Sequence, residues 1–179
     1  MAEVISVSAR DGHGLGKTPC ESITLITGEG VQGDGHCGKT VKHRSRVAKD
    51  PTQPNLRQIH LIHAEVLDEV AAKGFAVTPG ALGENILTRG IDLLGLSTGT
   101  ILRFPSGAAI EVTGLRNPCN QINGHTQGLM NALIDRADDG KLIRKGGVMG
   151  LVLSGRVVGV GDQIEVVMAD GHHLLLLPV

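Results

Sequence analysis

Apolar and polar residues alternate with a period of two at the start of the chain. Over Glu3–Ala9, Val4, Ser6 and Ser8 point one way and Ile5, Val7 and Ala9 the other, which is the pattern of a β-strand. Short runs of similar character recur at 21–26, 57–62, 85–87, 100–104, 109–113, 148–153 and 163–168, and each is read as a strand. The runs at 100–104 and 109–113 flank Pro105-Ser106-Gly107, a turn sequence, so a hairpin is expected there. Residues 63–73 change period: Val66, Leu67, Val70 and Ala71 share one helical face, with Glu65, Asp68 and Glu69 early, Lys73 late and Gly74 as the stop. A second helix is expected over 129–136. Residues 28–49, with Gly28, Gly30, Gly33, Gly35 and Gly38 ahead of a basic run, read as a loop, and 154–162 as a Gly- and Val-rich connection. Many short strands between glycine turns predict a mainly β fold with a few helices, a barrel or a sandwich. No repeat or linker divides the chain, so residues 1–179 are expected to form a single domain.

Composition narrows the function classes. The chain has 179 residues, enough to bury a core, with 41% hydrophobic and 20% charged residues. Its net charge of −1 supplies no general attraction to nucleic acid or anionic membrane. Two Phe and no Tyr or Trp leave almost nothing for bases to stack on, and the core must be aliphatic. No signal peptide or membrane-spanning run is visible, so a cytoplasmic location is expected. There thiols stay reduced, and three cysteines do not close a disulfide framework.

Each cysteine is therefore weighed as a free thiol. Cys119 follows a strand on the turn Arg116-Asn117-Pro118-Cys119-Asn120-Gln121. Pro118 stiffens the approach, and Arg116 favours a thiolate, the form that attacks sulfur donors and binds metals. The alternative is a small buried hydrophobe. Cys20, after Pro19 at the start of a strand, resembles a structural residue. Cys37 with His36, His43, His60 and His63 matches no closed zinc template. The basic run Lys39, Lys42, His43, Arg44, Arg46 and Lys49 is either an anion-binding loop or a solvated one. Glu84, after Pro79-Gly80 and Gly83, either orients a ligand or pins a turn through backbone N–H groups, the turn being favoured.

In order along the chain, Gly30-Val31-Gln32-Gly33-Asp34-Gly35-His36, Arg57-Gln58-Ile59-His60-Leu61, Pro79-Gly80-Ala81-Leu82-Gly83-Glu84-Asn85-Ile86-Leu87, Glu111-Val112-Thr113-Gly114 through Asn117-Pro118-Cys119, and Gly146-Gly147-Val148-Met149 through Gly161-Asp162-Gln163-Ile164 resemble the MOSC family, named for the C-terminal domain of molybdenum cofactor sulfurases. The resemblance covers nearly the whole chain and implies a closed or partly open β-barrel of the pyruvate-kinase-barrel type. It implies that Cys119 is the protein ligand to molybdenum in a molybdopterin-type cofactor. Asp34, His36, Arg57, Glu84, Asn85, Arg116 and Asn117 are the cofactor-contacting positions it implies. It offers N-reductive or cofactor-handling chemistry, with an electron-donor protein as partner because the chain lacks an iron–sulfur cysteine set.

A second reading of the same resemblance is a sulfur carrier, taking persulfide sulfur on Cys119 from a pyridoxal-phosphate cysteine desulfurase. Pyridoxal phosphate is associated with the family, yet nothing marks Lys73, Lys141 or Lys145 as a Schiff-base lysine. A non-catalytic binding module is a third reading, and a second copy of the chain is a further candidate partner. The loop 39–54 and Cys37 depart from the family pattern.

Overall fold

A computed structural model describes the backbone of residues 1–179 and every side chain except those of Arg44 and Ser45. The strands are β1 (Glu3–Ala9), β2 (Thr18–Cys20), β3 (Ser22–Ile26), β4 (Gly30–Val31), β5 (Ile59–His63), β6 (Ile86–Arg89), β7 (Ile101–Arg103), β8 (Ala109–Leu115), β9 (Ile134–Arg136), β10 (Leu142–Arg144), β11 (Val148–Ser154), β12 (Val157–Gly159) and β13 (Glu165–Val167). The helical pieces are the single turn α1 (Arg44–Val47), α2 (Ala64–Ala72), the 3₁₀ segment η1 (Asn120–Gly124) and α3 (Leu129–Ala132).

The principal sheet has eight strands in the order β13-β7-β8-β11-β5-β6-β1-β2. Its pairings are antiparallel except β5 with β6, which run parallel across the connection that contains α2. The terminal strands do not pair with one another. The sheet nevertheless curls back on itself, because Val4 N–H donates to Asp162 O and Ile164 N–H to Ala2 O at 2.9 Å each, just ahead of β13. The result is a mainly β, partly open barrel, as expected.

Two aliphatic cores follow from strand alternation. Leu61 and Ile86 turn inward to Val4, Val7, Ile110, Val112 and Val148, while Ile62 and Leu87 turn outward to Val66, Leu67, Val70, Ile122, Leu129 and Leu133. Strand β5 is therefore buried along its whole length. Strand β1 departs from simple alternation: a register shift between Val4 and Ser6 lets Ser6, Val7 and Ser8 all be buried in succession.

Three readings of the sequence are corrected here. The helix expected over 129–136 stops after Ala132, and Ile134–Arg136 pairs with Leu142–Arg144 as a small hairpin. The apolar residues Leu129 and Leu133 fit a helix face, but the chain extends beyond them and Lys145 N–H closes onto Leu133 O. The connection 154–162 contains β12, which pairs with β3, so its valines are strand residues. The glycine segment contains β4, a short partner of β3.

Candidate functional site

The polar residues buried at one end of the barrel come from five separate segments. Lys17 precedes β2, where its own N–H donates to Gly80 O at 2.8 Å. Gly80 has φ +82°, and the turn it opens carries Glu84 and Asn85 into β6. Asp34 lies beyond β4, Arg57 and His60 sit at β5, and β8 delivers Arg116 to Cys119.

Asp34 is the knot of this cluster. Its Oδ2 is 2.8 Å from Lys17 Nζ and 3.1 Å from Asn85 Nδ2, while its Oδ1 accepts from His36 N–H at 3.0 Å and lies 3.4 Å from His36 Nδ1. Burial pushes the carboxyl up, but the His36 bonds and the Lys17 charge outweigh it and hold Asp34 far below the usual carboxylate range. Burial lowers Lys17, and the Asp34 charge opposes that. Asn85 spends its amide inside the protein: Nδ2 also donates to Ser8 O at 3.1 Å, and Oδ1 accepts from His60 N–H at 3.2 Å.

His60 extends the chain of bonds towards the thiol. Its Nε2 lies 2.7 Å from Gly146 O, and since a carbonyl only accepts, Nε2 carries the proton. Burial and the Arg116 charge hold this imidazole well below its ordinary value, so it is neutral. Gly146 packs on Arg116 O and Pro118, and Arg116 N–H donates to Gly147 O at 2.9 Å. The Cys119 turn is thus fastened, through His60 and Asn85, to the Lys17–Asp34 pair.

Four groups remain with capacity towards a ligand. Cys119 is part-buried rather than sealed, and Sγ has only a long 3.8 Å contact to Gln121 Oε1. Arg116 Nη1 is cut off from solvent and has no hydrogen-bond partner. Arg57 is depressed to about 10 by burial and by repulsion from Arg116 and Arg46, against the attraction of Cys119. Glu84, 1% exposed, receives Gly80 N–H on Oε1 and so does pin the turn, but its Oε2 is buried without a partner. Burial raises this carboxyl, and the Arg116 charge opposes.

Among the residues singled out in the sequence, Asp34, His36, Glu84 and Asn85 gather around Lys17, and Arg57, Arg116 and Cys119 share one electrostatic neighbourhood. Asn117 is not brought in: it is exposed and accepts from Arg144 Nε at 2.9 Å. Lys17 escaped sequence reasoning, because nothing local separates it from the other lysines. Cys20 is exposed at the end of β2 rather than structural packing. Cys37 is part-buried, its thiol pushed up by burial and by Glu29 and Asp34. No cluster of three or more His, Cys, Asp or Glu among the described residues could hold a metal. Lys73 pairs with Glu69, Lys145 with Glu69 and Asp135, and Lys141 with Asp139. An open cleft of about 490 Å³ lies beside the site, lined by Leu15–Pro19 on one wall and by Thr78, Pro79, Ala81, Gly124 and His125 on the other. Cys119, at the N-terminus of η1, lies outside its lining, whereas Gly124, at the far end of that segment, is part of it.

A partly open barrel carrying a solvent-reachable thiol among buried cations is the class that fold and site define. Residues 18–165 match the model of the MOSC domain, and the chain belongs to that family. YuaD of Bacillus subtilis (strain 168), provisionally named for metal-sulfur cluster biosynthesis, is 36% identical over 98 residues, which span 51% of this chain and 51% of the relative. The matched stretch is thus about half the length of that curated relative. The crystal structure of YuaD superposes with a TM-score of 0.76 at 28% identity, covering 93% of this chain and 96% of the other. YiiM from Geobacillus stearothermophilus has a TM-score of 0.65 at 18% identity, with 93% and 75% of the two chains covered. YiiM from Escherichia coli has a TM-score of 0.62 at 20% identity, with 97% and 73% covered; these two likenesses concern the fold alone. Among the described residues no helix is long and apolar enough to cross a membrane.

Proposed function

We propose that the chain binds a molybdopterin-type cofactor, with the Cys119 thiolate as ligand to the metal, and acts in N-reduction or in handling of the cofactor. The observation that carries this reading is Arg116 Nη1, a sealed donor without a partner in the neighbourhood of a part-exposed thiol. Burying an unsatisfied guanidinium N–H costs free energy that an anionic ligand recovers. A soft thiolate suits molybdenum already held by dithiolene sulfur. The residues therefore fit the group.

When bound, the cofactor supplies the redox-active metal. The chain supplies the surroundings. Arg57 and Arg116 bring two positive charges into the neighbourhood of Cys119. The Lys17–Asp34–Asn85–His60 chain holds the thiol-bearing turn in place. Glu84 presents one free carboxyl oxygen beside the Arg116 field. Electrons have to come from a separate donor protein.

The test is elemental analysis of protein expressed in a cofactor-producing host. Wild type is expected to hold molybdenum and Cys119→Ala to hold none. With no Trp or Tyr in the chain, near-UV absorbance should report the bound chromophore directly. Metal absent from both proteins overturns the reading.

A second reading is favoured by the accessibility of Cys119 and by the relative's name: a carrier of persulfide sulfur. The Cys119 thiolate would attack the terminal sulfur of a desulfurase persulfide, forming one S–S bond while the desulfurase cysteine leaves as thiolate. Pyridoxal phosphate would then belong to the partner. Intact-mass measurement after incubation with desulfurase and cysteine should show one added sulfur, lost in Cys119→Ala.

A further inference from the structure

The charge of the chain is divided unevenly. Five of its 17 Lys and Arg lie in residues 39–49, which contain no Asp or Glu. The other 12 are set against all 18 acids, so an arm of +5 stands on a body of −6. Ion pairing follows the same division. Outside the arm every lysine is paired: Lys17 with Asp34, Lys73 and Lys145 with Glu69, and Lys141 with Asp139. Among the described residues, Lys39, Lys42, Arg46 and Lys49 form no ion pair. Asp50, the first acid after the run, takes Thr52 N–H at 2.9 Å and Thr52 Oγ1 at 2.6 Å instead. The arm is also held in shape. Asn55 Nδ2 donates to His36 O at 3.0 Å and to Gly38 O at 2.9 Å, and Asn55 N–H to Lys39 O at 3.0 Å. Val41 is buried and its N–H donates to Gln53 O at 2.9 Å. Thr113 Oγ1 donates to Leu56 O at 2.7 Å. The stem is thereby fixed between the Asp34–His36 segment and β8, the strand that leads to Cys119. Lys39 and Lys49 are exposed, and Val47, 40% exposed, offers an apolar side chain between Arg46 and Lys49 in the sequence.

We infer that the arm 39–49 is the docking surface for an acidic protein, the partner that brings electrons to the proposed site. What the partner delivers rests on the cofactor reading; the surface itself does not. Unpaired cations draw in an acidic face from a distance, and the acidic body repels that face everywhere else, so docking is confined to the arm. An exposed apolar side chain rimmed by charge has the anatomy of a transient interface. Electron-transfer encounters bury less than about 1,200 Å², an area within reach of one projecting arm. An extended polyanion fits less well. A nucleic acid or an anionic bilayer would meet the acidic body beyond the arm, and two Phe without Tyr or Trp give bases little to stack on.

The experiment is calorimetric titration of the full chain, produced in a host that makes no molybdopterin, with oxidised flavodoxin, a small acidic electron carrier. Single-stranded RNA and vesicles of phosphatidylcholine with phosphatidylserine are the comparison probes. Flavodoxin is expected to bind at about 10 mM salt and at least about tenfold more weakly at about 150 mM, as the screening length falls from ~30 Å to ~8 Å. Lys39→Glu combined with Lys49→Glu should weaken the low-salt binding about tenfold. Arg89→Glu combined with Arg103→Glu makes the same change in net charge at the opposite end of the barrel, where Arg103 pairs with the start of β8 and Arg89 ends β6. That pair should cost about twofold or less. Circular dichroism establishes folding of each variant; should the Glu pair in the arm not fold, Lys39→Gln with Lys49→Gln repeats the test without charge reversal. Equal losses in the two double variants, tighter binding of RNA or vesicles than of flavodoxin, or no flavodoxin binding at low salt overturns the inference. Molybdenum retention without arm-dependent docking would sink only this inference, while docking through the arm by a chain that retains no molybdenum would sink only the cofactor reading.

Discussion

Lys17 and Asp34 show how much a single buried pair can control. The two side chains are 6% and 2% exposed and 2.8 Å apart, so removing one leaves the other charged and unpaired in a dry setting. Lys17→Met is expected to cost about 3–5 kcal/mol in denaturant unfolding, and the double variant Lys17→Met with Asp34→Leu less than that. A double variant worse than the sum of the singles would rule out pairing as the cause. The same residues set the response to acid. Asp34 is depressed, so its contribution is complete above the ordinary aspartate value near 3.8 and is lost as pH falls through and below it. His60 is depressed well below 6.5 and is buried neutral, so its contribution is complete above about 6.5 and declines below. The urea midpoint should therefore fall on going from pH 7 to pH 5, and His60→Gln, which keeps a donor for Gly146, should flatten that fall. Gly147 makes a separate point about space. It has φ +88°, and a Cβ there would stand 2.6 Å from Ile62 Cγ1 and 3.0 Å from His60 Nε2. Gly147→Ala should cost roughly 1–3 kcal/mol by the left-handed backbone alone and shift the Cys119 turn that hangs from Gly147 O.

Among the elements, α2 is the clearest case of amphipathic logic. Ala64, Val66, Leu67 and Val70 are buried against the outer face of β5 and β6, and the helix stops where Lys73 and Gly74 take the last carbonyls. Val70→Ala should cost roughly 1–3 kcal/mol, read as a lower thermal midpoint. The polar face of α2 does something the sequence does not announce. Glu69 receives Lys145 Nζ at 2.7 Å, and Lys145 also reaches Asp135 at 3.1 Å, so one lysine clamps the helix to the β9–β10 hairpin. Because the carboxylates are partly solvated, Lys145→Met should change stability by about 1 kcal/mol or less. A much larger loss would mean that the hairpin itself depends on the clamp.

For the whole molecule, the final segment acts as a cover on the barrel. Leu115 N–H donates to Leu177 O at 2.8 Å and Thr98 N–H to Leu174 O at 3.0 Å, while Leu176, 7% exposed, joins the inner core. Removing residues 174–179 should uncover that core next to the strand leading to Arg116. Losing one buried leucine costs about 2 kcal/mol, which lowers the thermal midpoint by several degrees, roughly 4–8 °C. Molybdenum retention should fall with it if the Cys119 turn relaxes; unchanged retention would separate the cover from the site.

Strands β1, β3, β5, β6, β7, β8, β11 and β13, helix α2 and the β7–β8 hairpin were legible from periodicity and turn residues, because burial on one face imposes a period that survives in a sequence window. Cys119 stood out from its local turn with Pro118 and Arg116, whereas Asp34, Arg57, Glu84 and Arg116 were named together as a cofactor-contacting set only through an ordered set of family segments. The end of α3, strand β12 and the β9–β10 hairpin were not, since short apolar runs satisfy helix and strand equally until a partner strand supplies hydrogen bonds. Lys17 was invisible for a related reason. Its importance lies in distance to Asp34, seventeen residues away along the chain, and in the water that the folded barrel removes from both. Local residue order decides which elements form. Only the curling of the sheet into a partly open barrel decides which charges are left dry and which donor, at Arg116 Nη1, is left without a partner.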